Sequence, residues 1–182
     1  TSEKLYTLSD GTKAILNKMD TPVEIRLYCT QESKDMPVVL KTYAQRVEDL
    51  LGEFQKAGRK NIEIKKFDPK PDSDAEDAAN LDGVEGQMVN IGEKIYLGLA
   101  ISQLDQKVSI PFLSPEREKL LEYDIIRAIS RVTTTEKPVV GVMTALQVFG
   151  EFNPMMMRMG RMQRQDPWVF ISELKRDFDV RQ

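Results

Sequence analysis

The 182-residue sequence contains no histidine. That removes Ser–His triads, His-based acid–base catalysis and His metal sites. Its one cysteine, Cys29, has no partner for an internal disulfide, and a single thiol carries no information on redox compartment. No apolar run approaches the ~20 residues that span a bilayer. Positive charge is not in excess either: 26 Lys and Arg against 29 Asp and Glu leave a net charge of −3. The general electrostatic case for nucleic acid is therefore absent. No signal-peptide pattern opens the chain. It starts at Thr1 and ends as a strand should begin, so we read it as a piece of a longer protein in which missing targeting signals say little.

What is present is an ordinary globular composition, 41% apolar and 30% charged. The length suits one domain, or a compact one with part of a second. Residues 108–142 organise the rest. Val108, Ile110 and Phe112 alternate with Ser109 and Pro111 as in a half-buried strand, and Pro111 argues for an edge. Ser114 is a good N-cap, with Pro115 at the first helical position and Glu116 and Glu118 in the first turn. Leu121, Ile125, Ala128, Ile129 and Val132 make one apolar stripe, so this helix must dock. Lys137 and Pro138 then open a new strand over 139–142.

Earlier in the chain, Ser9 can cap a short helix carrying Leu16 and Met19. Val23, Ile25, Leu27 and Cys29 form the first core strand. The longest helix carries Leu40, Tyr43, Val47, Leu50, Leu51 and Phe54, and Gly58 is its expected C-terminal stop. A second strand follows over 61–67, then an acidic short helix over 72–80 ending near Gly83. Ile95, Leu97, Leu99 and Ile101 form a third strand, and a turn at 104–107 leads into the fourth. A β-α-β crossover makes the first two strands parallel, while the hairpin adds an antiparallel pair. The fold class expected is α/β, a thioredoxin-like mixed sheet with helices on both faces. It spans residues 1–136, and residues 137–182 begin a second, truncated α/β domain with a Met/Arg-rich loop over 146–165.

Several stretches resemble the auxiliary component of uncharacterised ABC transport systems, a family that includes the gliding-motility protein GldG and is related to an intraflagellar-transport domain. They are YTLS (residues 6–9), RVEDLL (46–51), FDP (67–69), IPFLS (110–114), EYD (122–124), RAI (127–129) and KPVVGV (137–142), which in order and spacing cover essentially the whole chain. The resemblance implies a membrane-anchored protein whose anchoring helices lie outside this piece. It places the domain on the extracytoplasmic (periplasmic) face, beside ABC permease and ATPase subunits. It implies no enzymatic activity, no cofactor and no catalytic residues, and it leaves open a small-molecule or glycan ligand.

Sharper readings compete with plainer ones. A thioredoxin-like fold invites thiol–disulfide chemistry at Cys29, but Thr30, Gln31, Glu32 and Ser33 follow it and there is no second cysteine. The segment 86–93 also lacks the proline that redox members keep before the third strand. A buried structural cysteine is the preferred reading. Met155, Met156, Met157, Met159 and Met162 are thioethers of the kind that select Cu(I), yet no His or Cys lies nearby. Flexible side chains packing on a partner fit them better. Arg158, Arg161 and Arg164 suit an acidic protein or a lipid surface, against the plainer reading of solvated charge. These eight residues are the candidate partner-binding set. Asp72, Asp74, Glu76 and Asp77 fail as a calcium loop, with Asp77 where Gly is required and Gly83 where a bidentate Glu is required. Glu122 and Asp124 point to different helix faces, and Asp124 with Arg127 has i,i+3 spacing for an ion pair. The leading expectation is a non-enzymatic accessory domain that binds a protein or ligand. The alternatives are a small-molecule solute-binding module with a cleft between the two domains, near residues 143–149, or an atypical thiol redox protein.

Overall fold

A helix that returns the chain to the start of a neighbouring strand forces the two strands parallel. In the computed structural model, which describes residues 6–134, 139–143, 146, 148 and 167–181, α1 (Asp10–Lys18) precedes such a unit. The unit consists of β1 (Val23–Cys29), α2 (Val38–Gly58) and β2 (Ile62–Phe67). Then come α3 (Asp74–Leu81), β3 (Gln87–Asn90), β4 (Glu93–Ile95), β5 (Leu97–Gln103), β6 (Gln106–Ile110), a 3-10 turn (Pro115–Leu120) and α4 (Leu121–Thr133). The chain divides into two compact units, Thr1–Thr133 and Thr134–Gln182.

The first unit is built on a four-stranded mixed sheet in the order β2-β1-β5-β6. β1 runs parallel to β2, placing Ile25 beside Ile64, and antiparallel to β5, placing Leu27 beside Leu99. β5 and β6 form the antiparallel hairpin. Because side chains alternate across a strand, each face collects its own set. Ile25, Leu27 and Cys29 of β1 join Leu99 and Ile101 of β5 in the main core, covered by Leu16, Val47, Phe54, Ile125 and Ile129 from α1, α2 and α4. The opposite face gathers Tyr28, Ala100 and Tyr96 under Ala79 of α3. Tyr28 stacks on Phe67 there, with ring centroids 5.2 Å apart. Gly98 lets the chain cross this face closely: a Cβ there would sit 2.6 Å from Val84 and 2.8 Å from the Pro111 carbonyl. Helices thus lie on both faces of the mixed sheet, the thioredoxin-like arrangement expected from the element order.

Local details depart from the expectations. The third strand breaks at Tyr96, whose backbone N–H donates to the Thr30 hydroxyl at 3.0 Å while its carbonyl accepts from the Thr30 N–H at 3.1 Å. Ile95 therefore closes a separate β3–β4 hairpin, and Leu97 begins β5. Ser114 does cap its turn, but that turn is 3-10, and the α-helix begins only at Leu121. Such tight turns are common at helix N-termini. At the end of α2, Gly58 keeps a right-handed φ of −81°, and the left-handed residue is Arg59 at 53°. Gly58 is small for another reason: a Cβ on it would lie 2.2 Å from Ile62 Cγ1.

In the second unit β7 (Val139–Gly141) and β8 (Asp179–Arg181) pair in parallel, with α5 (Val169–Asp177) between them in sequence. Val148 and Ile171 are buried, and Trp168 donates its backbone N–H to the Val148 carbonyl at 2.9 Å. Trp168 is the N-cap of α5, and its ring meets Phe170 edge-on at 6.2 Å.

Candidate functional site

The parallel pair β1–β2 ends at Cys29 and Phe67, and the loops beyond lead to α2 and α3. The crevice outside the carboxyl ends of strands is where open α/β sheets place ligands. A cleft of about 280 Å³ lies there, with Thr30, Asp68, Lys70, Glu93 and Lys94 among its lining residues. Thr30 is buried and ties β1 to Tyr96 through the two hydrogen bonds given above, so its hydroxyl is engaged in the fold. Ser33 accepts the Asp35 N–H at 3.2 Å. Ser73 caps α3 by accepting the Glu76 N–H, and Asp74, Glu76 and Asp77 already supply negative charge to that first turn. The cleft therefore offers three carboxylates, Glu32, Asp68 and Glu93, against two ammonium groups, Lys70 and Lys94, with small hydroxyls held by backbone. It can hydrogen-bond and neutralise a small polar solute, but it holds no activated nucleophile among these groups.

Cys29 does not line this cleft. Its thiol belongs to the main core. Burial, reinforced by the nearby Glu48 carboxylate, pushes its pKa up to about 11. A reactive thiol needs the opposite environment.

A second constellation joins the N-terminal segment to α2, the 3-10 turn and α4. Glu118 accepts the Tyr6 hydroxyl at 2.6 Å and the Arg46 guanidinium at 3.0 Å. Glu122, one turn on, accepts the Ser9 N–H at 2.8 Å and the Thr12 hydroxyl at 2.7 Å. The hydrogen bond from Tyr6 and the pairing with Arg46 hold the Glu118 carboxyl below the usual range, even against the cost of its burial. For Glu122, burial acts upward but the bonds from Thr12 and Ser9 prevail, and its pKa is also lowered. A cleft of about 370 Å³ opens beside them, lined by Tyr6, Leu50, Glu118, Lys119 and Glu122.

A third network lies on the α3 face. Asp82, the C-cap of α3, accepts from Arg26 at 2.7 Å, Tyr28 at 2.6 Å and Lys107 at 3.1 Å, so one carboxylate links β1, β6 and α3. Asp124 pairs with Arg117 through two guanidinium nitrogens at 2.9–3.2 Å. No cluster of three or more metal-ligating side chains occurs among the described residues.

The candidate partner-binding residues, Met155, Met156, Met157, Arg158, Met159, Arg161, Met162 and Arg164, lie outside the described residues. Of the segment 143–149, Met143 is fully exposed and Val148 buried. The β3–β4 hairpin beside the strand-end cleft was missed in the sequence. Its signal was Gly92, at φ 81°, next to a fully exposed Ile91.

No curated protein and no solved structure matches the chain. The model of one family, described as Domain of unknown function (DUF7088), matches residues 2–102, from the approach to α1 almost to the end of β5. That is more than half of the sequence, and the chain belongs to the DUF7088 family.

Proposed function

We propose that this is a non-enzymatic accessory domain of an ABC-type transport complex, held at the extracytoplasmic face and acting by binding a partner protein. One observation carries the reading. Side chains of the stretches that resemble the transport family meet in ties within the fold: Tyr6 and Arg46 on Glu118, and Ser9 on Glu122. Those residues are used to lock the N-terminal segment and α2 to the start of α4, which is the work of a scaffold. The buried, weakly acidic Cys29 argues in the same direction, since it offers no thiolate for exchange.

The test is to isolate the membrane-anchored full-length protein in mild detergent and identify what comes with it. Recovery of a permease and its ATPase in stable proportion supports the reading. Isolation of the protein free of both overturns it.

A second reading has its own support in the strand-end cleft, whose mixed charges suit a small zwitterionic or polyhydroxy solute. A screen of such solutes would then raise the melting temperature, and Lys94→Ala together with Glu93→Ala would abolish the shift. A screen that shifts nothing removes it.

A further inference from the structure

A central strand of the sheet stops early. β1 pairs antiparallel with β5 as far as Cys29 beside Leu97, and the same register would set residues 31–33 beside 93–95, the span of β4. The chain leaves that path at Thr30. Its carbonyl accepts the Ser33 N–H at 3.0 Å, closing a turn, and its hydroxyl replaces that carbonyl as acceptor for the Tyr96 N–H. On the other flank, β1 and β2 run in register to Tyr28 beside Phe67, and residues 68–71 follow β2. The strand-end cleft is lined by Glu93 and Lys94 of β4 and by residues 68–71, so it occupies the place where β1 would have continued between its neighbours.

The two walls of this slot differ. Successive residues of a strand direct their N–H and C=O groups to opposite edges. Tyr96 bonds toward Thr30, so Ile95, which pairs with Gln87 of β3, bonds away from the slot, and Lys94 directs its backbone N–H and carbonyl toward it. Among the described residues β3 is the only strand that pairs with β4. The opposite wall is poor in donors: Pro69 and Pro71 have no N–H, and the Lys70 N–H donates to the Asp68 carbonyl at 2.9 Å. Of the charged groups, Asp68 has Lys70 within 3.8 Å. Glu32, Glu93 and Lys94 are exposed, and their side chains make no hydrogen bond or ion pair among the described residues. Two carboxylates and one ammonium therefore stand uncommitted at the slot. The Lys94 stem lies over Gly86, where a Cβ would come within 3.1 Å of Lys94 Cδ.

We propose that this cleft binds a short free-ended peptide, two or three residues long, as an extended segment in the position that β1 vacates. Its backbone pairs with Lys94, its α-ammonium meets Glu32 and Glu93, and its α-carboxylate meets the Lys94 ammonium. The three residues of β4 span roughly 10 Å, which sets the length of the segment. The inference rests on the reading of the strand-end cleft as a solute site and names the class of solute.

The probe is trialanine with free ends, titrated calorimetrically into the 182-residue chain beside its N-acetylated and C-amidated forms. Alanine side chains suffice because the slot reads backbone and chain ends. Free trialanine is expected to bind and to slow amide exchange at Lys94, and blocking either end should weaken it by roughly tenfold or more. Glu32→Gln with Glu93→Gln should weaken free trialanine to the same degree but leave the N-acetylated form, already without its ammonium, unaffected. Lys94→Gln should do the same with respect to the C-amidated form. An unchanged melting temperature in each variant shows that the fold persists. Equal binding of the three peptides, indifference to these substitutions, or protection away from β4 overturns the proposal. Glycine betaine and trehalose separate it from the broader reading. If either raises the melting temperature, loses that effect in Lys94→Ala with Glu93→Ala, and trialanine does not bind, the solute site stands and the peptide falls. If none of the three binds, both fall.

Discussion

Glu122, in the first turn of α4, accepts the backbone N–H of Ser9 at 2.8 Å and so helps cap a helix that begins more than a hundred residues earlier. The same carboxylate oxygen takes the Thr12 hydroxyl at 2.7 Å, while the Ser9 hydroxyl accepts the Thr12 N–H. A helix start needs such acceptors for its otherwise unpaired N–H groups. Glu122→Ala should cost about 1.5–3 kcal/mol, the range for hydrogen bonds to a charged group. Urea unfolding measures it, and a loss no larger than that of an exposed control such as Glu116→Ala would show that the tie is decorative.

Stability should fall on both sides of neutrality, for opposite reasons. On the acid side, Lys65 holds the Glu24 carboxyl low, with help from Arg26 against burial. Glu118, Glu122 and Asp82 are also lowered, Asp82 because Tyr28, Lys107 and Arg26 outweigh its burial. Folded-state values below the unfolded ones mean that the unfolded chain takes up protons first, so stability is retained above about pH 4.5 and drains away as pH falls below it. On the alkaline side, burial pushes Tyr6, Tyr43 and Tyr96 each up to about 12 and also raises Tyr28. The unfolded chain then loses phenolic protons first, and stability declines from about pH 10 upward. Thermal melts across pH, with tyrosinate absorbance followed on the alkaline limb, would trace both. A flat profile at either end rules out the corresponding set of contacts.

The sheet was legible in the sequence because its signals are local. β1 alternates, α2 and α4 each carry one apolar stripe, and the turn before β6 fixes the antiparallel pair. What was not legible depends on partners distant in sequence. Glu122 stood out in the EYD stretch, yet its role needs Ser9 and Thr12 beside it, which no spacing within α4 reveals. Asp124 also takes Arg117 with two nitrogens of a fork, a pairing that forms only because the 3-10 turn brings that guanidinium back over it. Tyr96 read as one more residue of a strand, and only the buried Thr30 hydroxyl explains the break there.

Cys29 should behave as a core side chain. It is 4% exposed and its thiol is pushed up to about 11 by burial and by Glu48. Alkylation by iodoacetamide at neutral pH should proceed only as fast as the chain opens, and should accelerate sharply in denaturant. A native-state rate close to that of free cysteine would revive the redox reading.

Ile125 is fully buried and Leu121 nearly so, both in the core between α4 and the sheet. Truncation to Ala should cost about 2–5 kcal/mol at each, as lost transfer energy plus a cavity. Tyr123, between them in sequence but 57% exposed, supplies the control, and Tyr123→Ala should leave stability within about 0.5 kcal/mol. Equal losses at all three positions would mean that the helix packs on another face.

Two glycines of α2 should respond to alanine with opposite signs. At Gly52 a Cβ would meet nothing within 4 Å, so Gly52→Ala adds helix propensity and removes unfolded-state freedom, a gain of about 0.5–1 kcal/mol. At Gly58 the new methyl would sit 2.2 Å from Ile62 Cγ1, at the point where α2 turns into β2. Ile62 is buried, so it has little room to retreat. Gly58→Ala should therefore cost about 1–3 kcal/mol, the usual range for overpacking a core. Chemical denaturation of the two variants and of Gly58→Ala combined with Ile62→Ala separates the effects. The double variant should lose less than the sum of its single changes, because removing the Ile62 side chain beyond Cβ removes the closest contact. Strict additivity would place the cost of Gly58→Ala somewhere other than Ile62.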